Sequence, residues 1–573
     1  MAYQLSPGVT WSEIDLTTIV PSVATTEGAF AGEFDWGPIN DVVTLSNEIE
    51  LVRWFHKPSA NTFKSFFTAA NFLAYANHLK VVRAANTTVA RNATSANGTG
   101  EERLLIRNRD EYELEYMDMS ANANTGMFAA RYAGELGNDL RVSLWASANA
   151  TAYANWTYAP EFNGAPGTSP YTSSRGGAND EMHLIVIDTL GKFSGIANSV
   201  LEKFPFVSKA VDAKNDDGSS NYYVNVINDR SEFIYIINHA QDDSLFISGT
   251  STWGVPASNT NFAEVATSYT ASLRGGATGA VTNADLINAY DLFRNADEYD
   301  VSLIMTGAAS QVVSEYIVDN IAESRKDCVV FISPLMGDAV NNMGGESEDI
   351  ISYRNDFNSS SYAVMDSAWK KQFDKYNNVY RWVPLNGDIA GLCARTDFER
   401  DPWFSPAGFN RGHIKNVTKL SWSPSKAERD ELYKNGINPV VEFKGEGTVL
   451  YGDKTMLAKP SAFDRINVRR LFIVLEKAIS RAAKYSLFEF NDEFTRAQFV
   501  ALVEPYLRDV KGRRGIYDFR VVCDETNNTP EVIDRNEFIG DIYIKPARSI
   551  NFIHLNFVAV RTGVAFSEVI GKF

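Results

Sequence analysis

The sequence predicts a multidomain protein of mixed α/β and α+β class, and three observations carry that reading. The chain has 573 residues, and because single hydrophobic cores stop growing at about 250–300 residues it should divide into roughly two to four domains. Near its start, "FKSFFTAANFLAYANHLKVVRA" sets apolar residues at helical spacing and then passes into a β-rich run, after two shorter strand-like runs. Further on, "EYDVSLIMTG", "AASQVVSEYIVDNIAES" and "KDCVVFISP" follow one another as strand, helix and buried strand. That order is one βαβ unit, which predicts parallel pairing through a crossover helix.

Along the chain, "GVTWSEID" reads as an exposed strand and "VATTEGAFAGEFDWGP" as a strand stopped by Gly-Pro. No Lys occurs between Lys80 and Lys192, while small polar residues accumulate. Residues 87–180 therefore read as an inserted, mainly β domain, with "ERLLIRN" and "LRVSLWAS" as strands and "NGAPGTSPYTSSRGG" as a loop. The βαβ unit belongs to a second α/β segment, residues 181–351. From 352 the chain runs with fewer interruptions. Phe463 to Tyr485 is the clearest helix, with Ser461 as its N-cap and an apolar stripe of Val468, Leu471, Phe472, Leu475, Ala478, Ile479 and Ala482. A different face carries Arg470, Lys477, Arg481 and Lys484; spacing alone reads these as a solvated face, with a basic docking stripe as the alternative. A helix containing Pro505 follows, then strands "IYDFRVVCD", "IGDIYIKP" and "INFIHLNFVAVR".

Composition narrows the function. The net charge of −17 disfavours nonspecific nucleic-acid binding. It is unevenly placed: from Ser461 onward 17 Lys and Arg face 15 Asp and Glu, so the first 460 residues hold a net −19. No apolar run of about 18 residues is present to span a bilayer, and the first residues lack the pattern of a secretory signal, so synthesis in the cytoplasm is expected. Cys328, Cys393 and Cys523 are too few and too far apart for a disulfide framework or paired zinc ligands, and read as buried free thiols. The six histidines never approach within 22 residues of one another, so no local metal or HExxH pattern exists. "GTVLYGDKT" imitates a phosphate-binding loop, but Asp453 stands between the second Gly and Lys454, where it would repel phosphate and displace the Lys. Asp216 and Asp217 lack Ca²⁺-loop spacing. No catalytic, cofactor-binding or metal residue is assigned.

One rigid stretch, "DPWFSPAGFNRG", packs two prolines, two glycines and three aromatics into twelve residues. Pro402, Pro406 and Gly408 fix a backbone path, Trp403, Phe404 and Phe409 read as apolar anchors, and Arg411 as a holder of nearby carbonyls or carboxylates. Rigidity of this kind suits a catalytic loop or a piece of scaffold.

Blocks along most of the chain resemble the contractile tail sheath proteins of myovirus-type, T4-like bacteriophages: "LSPGVTWSEID", "GAFAGEFDWGP", "ARYAGELGNDLRVSLW", "AESRKDCVVFISP", "VPLNGDIAGLCARTD", "DPWFSPAGFNRG", "SAFDRINVRRLFIVLEKAI" and "GDIYIKPARSINFIHLNFVAVRTG". The resemblance implies a virion structural protein without enzymatic activity or cofactor, in which "DPWFSPAGFNRG" is a piece of scaffold, a core-shaping loop. It implies a sheath core domain built from N- and C-terminal segments, with an inserted mainly-β outer domain and an α/β middle domain. The corresponding division is an N-terminal arm 1–22, core 23–86, outer domain 87–180, second insertion 181–351, core 352–460, inner C-terminal domain 461–561 and a C-terminal arm 562–573. Implied partners are further copies of the chain in stacked hexameric rings, a tail tube protein, baseplate proteins and a terminator or sheath-completion protein, with no nucleic acid and no membrane insertion. Contraction would drive the tube through the host envelope. The arms would add strands to neighbouring subunits through Val9, Trp11 and Glu13 and through Val564, Phe566 and Val569, while Arg470, Lys477, Arg481 and Lys484 would face the tube. The alternatives are a non-contractile structural or receptor-binding tail protein, and an α/β enzyme using the region near Gly307.

Overall fold

The computed structural model describes residues 24–95, 104–117, 125–240, 246–247 and 250–551. Its centre is a seven-stranded sheet of β1 (Gly28–Glu33), β2 (Val42–Leu45), β3 (Leu79–Ala84), β4 (Leu303–Met305), β5 (Val329–Ile332), β6 (Ala363–Asp366) and β7 (Ile437–Asn438), in the order β7-β6-β5-β4-β1-β3-β2. Every pairing is parallel except that of β2 with β3. Strands such as "VVFI" of β5 are buried on both faces, which is what a parallel sheet covered on both sides requires. The expected βαβ unit is there: Leu303 lies opposite Val329 in parallel register. Its crossover runs through helical residues Gln311–Arg325, with a π-helical middle at Ile317–Ala322.

This topology corrects the domain division read from sequence. β4 and β5 lie between β1 and β6, so these strands belong to the central sheet and not to an insertion, and the helices around them pack on the same core through Val313, Ile321, Ala339 and Ile350. The strand Leu140–Trp145 pairs antiparallel with Glu181–Asp188, so the boundary at 180 cuts through one sheet. A single inserted body replaces the two expected ones. It holds a four-stranded antiparallel sheet and a two-stranded one around one core that includes Phe128, Leu184 and Ile234. Its entry and exit lie side by side, Arg91 bridging to Ala277 and Thr94 to Arg274. Of "ERLLIRN", the described residues 104–108 form no regular strand; Leu104 and Ile106 are buried in a small cluster of their own.

Helix α1 (Phe63–Leu73) covers one face of the central sheet and packs on α2 (Asn386–Glu399). Two glycines on one side of α2 permit the contact. A Cβ at Gly387 would lie 2.4 Å from the Thr68 carbonyl oxygen, and one at Gly391 would lie 2.5 Å from the Tyr75 ring. Beneath this contact Lys370 and Asp388 pair at 2.9 Å with both side chains buried. Burial pushes the Asp388 carboxyl up and the Lys370 amine down, and their mutual attraction opposes both shifts.

The C-terminal body consists of α3 (Ile466–Ala483), α4 (Glu493–Gly512, with Pro505 inside) and the antiparallel pair β8 (Ile516–Val522) and β9 (Asp541–Pro546). The helix expected from Phe463 begins later. Ser461 caps only a short 3₁₀ turn, Ala462–Asp464, and Arg465 is extended at φ −119°, ψ 137°. The chain at 453–455 causes the break: Thr455 N–H and Oγ1 donate to the carbonyls of Asp464 and Phe463, and Ile466 N–H donates to the Asp453 carbonyl. The anticipated apolar stripe is buried, with Phe472 half-buried.

Candidate functional site

Helix α3 is the seam between two cores. Ile466 and Ile473 belong to the central core, whereas Leu471, Leu475 and Ile479 belong to the C-terminal one. Its cations do not form a free stripe. Arg470 is buried and makes a bidentate pair with Asp397 at 2.8 and 2.5 Å, a geometry that matches the planar guanidinium to a carboxylate. Lys477 donates to Asp300 at 2.5 Å and to Ser302 Oγ at 3.1 Å, and Arg481 joins the same Asp300 carboxylate. Burial raises the Asp300 carboxyl, but the two cations outweigh it and hold the group below the usual carboxylate range. Lys484 meets Asp297 at 3.5 Å across solvent, with the two side chains 67% and 88% exposed. The expectation of a tube-facing face is thus corrected for Arg470 and Lys477, whose charges are used inside the subunit; Arg481 and Lys484 remain accessible.

"DPWFSPAGFNRG" spans the same seam. Trp403 sits in the C-terminal core, its Nε1–H donating to the Arg513 carbonyl at 3.1 Å, with Phe404 packed beside it. Pro402 is buried and Pro406 follows at the bend. Six residues beyond Trp403, the Phe409 ring is 43% exposed and lies against Phe443 and Tyr451 rather than in a core, which corrects the anchor reading for that residue. Gly408 adopts φ +91°, a left-handed conformation, and its N–H donates to the Leu450 carbonyl at 2.9 Å. Arg411 Nε donates to the Ser405 carbonyl at 2.7 Å. The loop therefore packs Trp403 and Phe404 on the C-terminal body while its other end is bonded to the central body.

Two surfaces of the C-terminal body are open. Among the described residues, β8 and β9 pair only with one another, so each presents an unpaired edge. One face of the pair packs on the core through Phe519, Val521, Ile542 and Ile544. The other carries Asp518 opposite Lys545 and Arg520 opposite Tyr543. Between α3 and α4, Tyr485, Leu487, Phe488 and Phe490 are all exposed, as is Phe494 in the first turn of α4. Sequence reasoning passed over this patch, although "YSLFEF" showed it as an apolar run outside the periodic stripe. The arm residues Val9, Trp11, Glu13, Val564, Phe566 and Val569 lie outside the described residues.

The chemistry of the interior is that of packing. Among the described residues no group of three His, Cys, Asp or Glu could hold a metal ion, and no helix is long and apolar enough to cross a membrane. Cys328, Cys393 and Cys523 are free and buried, and burial pushes the first two thiols up to about 12. Asp453 of the imitation phosphate loop is buried and bonded to Tyr433 and Arg465. A cleft of about 570 Å³ between α1 and the strand Trp369–Asp374 is lined by Phe67, Asn71, Gln372 and Phe373; its ionisable side chains, Glu48 and Lys375, pair with one another at 2.9 Å.

Two hydrophobic cores share helix α3, and among the described residues the β8–β9 pair leaves its edges open, an arrangement of the structural-subunit class. Comparison with known proteins gives the particular family. Residues 279–456 match the phage tail sheath protein central domain and residues 458–559 the phage tail sheath C-terminal domain. The chain is 36% identical to the tail sheath protein of Vibrio phage KVP40 over 99% of this chain and 100% of that one, and 36% identical to that of Enterobacteria phage T4 over 99% of both. The fold is similar to the crystal structure of a sheath tail protein from Listeria innocua, with TM-score 0.52 and 11% identity over 92% of this chain and 96% of that one. A sheath tail protein from Desulfitobacterium hafniense gives 0.51 and 10% over 95% and 100%. The chain belongs to the tail sheath proteins of contractile, T4-like phage tails, and is a structural component of the virion.

Proposed function

We propose that the subunit polymerises as stacked hexameric rings around a tail tube, bounded by baseplate and terminator proteins, and that contraction of this sheath drives the tube through the host envelope. The observation that supports it is the open two-stranded sheet β8–β9, whose unpaired edges suit strand addition by neighbouring copies. The donors are the terminal arms, about Gly8 to Asp15 and Gly563 to Ile570. The inserted body faces outward. Toward the tube lie Arg481 and Lys484 with the exposed aromatics Tyr485 to Phe494, where each rim ion pair contributes about 0.2–1 kcal/mol and so can break during contraction. Contraction is a rigid-body change of packing between subunits, each of which keeps its own fold.

Deleting residues 1–16 or 562–573 is expected to leave a folded monomer with an unchanged melting temperature that forms no tubes in electron microscopy. Truncated chains that still assemble into contractile tubes would overturn the arm reading.

A further inference from the structure

Both ends of the described chain are held by Arg–Asp pairs at the start of the same helix. At the N-terminal side, Thr25 Oγ1 donates to Asp397 Oδ2 at 2.6 Å, and Arg470 Nη2, already paired with Asp397, donates to the Thr25 carbonyl at 3.4 Å. One residue earlier, the Ala24 carbonyl accepts from Ser302 Oγ at 3.2 Å, and Ser302 is itself held by Lys477 of α3. At the C-terminal side, Ser549 Oγ donates to Asp453 Oδ2 at 2.5 Å, and Asp453 is paired with Arg465, the residue that precedes α3. The Asn551 amide meets the Tyr433 hydroxyl at 2.6 Å and, with its oxygen turned to the cation, accepts from Arg465 Nη1 at 2.6 Å.

Arg465 is the extended residue immediately before α3 and Arg470 is the fifth residue of that helix, so the helical span between them, from Ile466, is about 6 Å at 1.5 Å per residue. Both roots are thus fastened over little more than one turn of α3, at the seam of the two cores. Side chains of Arg470 and Asp397 are each 4% exposed, and the Asp453 side chain is 5% exposed. A paired, buried charge has little freedom to follow a moving chain. A pull on either terminal segment would enter the molecule at the helix common to both cores, and would not peel a terminal strand from its sheet.

We propose that Asp397–Arg470 and Asp453–Arg465 are paired arm anchors: they fix the direction in which the two terminal segments leave the body, so that subunits joined by their arms turn as rigid units. Thr25, Ser549 and Asn551 are the positioning residues on the arm side. The proposal rests on the reading that the terminal segments link subunits.

The test uses the full-length chain with Thr25→Val in one variant and Ser549→Ala with Asn551→Ala in another, changes that remove the side-chain contacts of each root, leave the backbone contacts of Ala24 and Thr25 in place and leave both ion pairs intact. The readouts are the monomer melting temperature, the critical concentration for polymerisation and the regularity of tubes in electron microscopy. The expected result is an unchanged monomer melt, a critical concentration raised about tenfold and irregular tubes, with Thr25→Ser restoring normal assembly. Normal assembly by both variants overturns the anchors, and so does a defect fully matched by a loss of monomer stability. Loss of assembly in the arm deletions together with normal assembly of the root variants removes the anchors alone; assembly by the deletions removes the arm reading itself.

Discussion

The central sheet and the β8–β9 pair are opposite solutions to the same problem. In the central sheet, β4, β5 and β6 are buried on both faces and each is paired along both edges. In the C-terminal body, two strands share one ladder, keep one face in solvent and leave both edges unpaired among the described residues. A pair of strands in isolation is marginal, and this one persists because Phe519, Val521, Ile542 and Ile544 rest on the core of α3 and α4. The difference separates stability that is complete within one chain from strand edges that are left open, the edges to which the strand addition proposed above is assigned.

The comparison breaks most severely if the central sheet is hollowed. Phe331 in β5 is fully buried, and Phe331→Ala is expected to cost about 3–5 kcal/mol, at the upper part of that range because strands on both sides prevent collapse into the cavity. A denaturant melt should show the whole monomer destabilised; a shift of less than about 1 kcal/mol would mean that the central sheet is not the stability core. Trp403→Ala comes next, at about 3 kcal/mol, and its effect should be local. With the rivet gone, calorimetry is expected to resolve two transitions where the parent gives one, the C-terminal body melting first. A single transition at lower temperature would show that the loop does not couple the two bodies.

These sites differ in how far a sequence discloses them. The helix before β3 and the βαβ unit at β4 and β5 were legible because their signals are local: a 3.6-residue period, then a run of β-branched residues between breaks. The unity of the inserted body was not, because the strand Leu140–Trp145 finds its partner Glu181–Asp188 across a long irregular segment. For the same reason the cations of α3 read as an open stripe. Arg470 pairs with an aspartate 73 residues away and Lys477 with one 177 residues away, and charge spacing on a helix carries no information about either. The loop containing Trp403 disclosed its rigidity through Pro and Gly, whereas which aromatics it buries was decided by the body it touches.

Within the central sheet a pH gradient sharpens the contrast further. Asp366, at the end of β6, is buried; it accepts from Ser333 Oγ at 2.6 Å, and burial pushes its carboxyl up to about 8. A group whose folded value lies above the ordinary 3.8 favours the fold at low pH, and that contribution is lost as pH rises from about 4 through about 8, by at most about 1.4 kcal/mol per pH unit. Asp366→Asn should therefore gain stability relative to the parent as pH rises across this window. A difference between the two proteins that stays constant from pH 4 to pH 8 would show that Asp366 is ionised in the fold.

The smallest expected effect lies at the other end of the comparison. Val521 in β8 is half-buried on the C-terminal core, and Val521→Ala removes about two methylene equivalents, on the order of 1 kcal/mol when half their surface was covered. In the monomer this should lower the melting temperature of the C-terminal body by a few degrees and leave the central body untouched. In the polymer the same strand would have a neighbour's strand along its edge, so the defect would recur at every junction and the tubes should dissociate at clearly lower denaturant than parental tubes. Were polymer and monomer to shift by the same amount, β8 would be an ordinary surface strand, and the junction between subunits would have to be sought on another face.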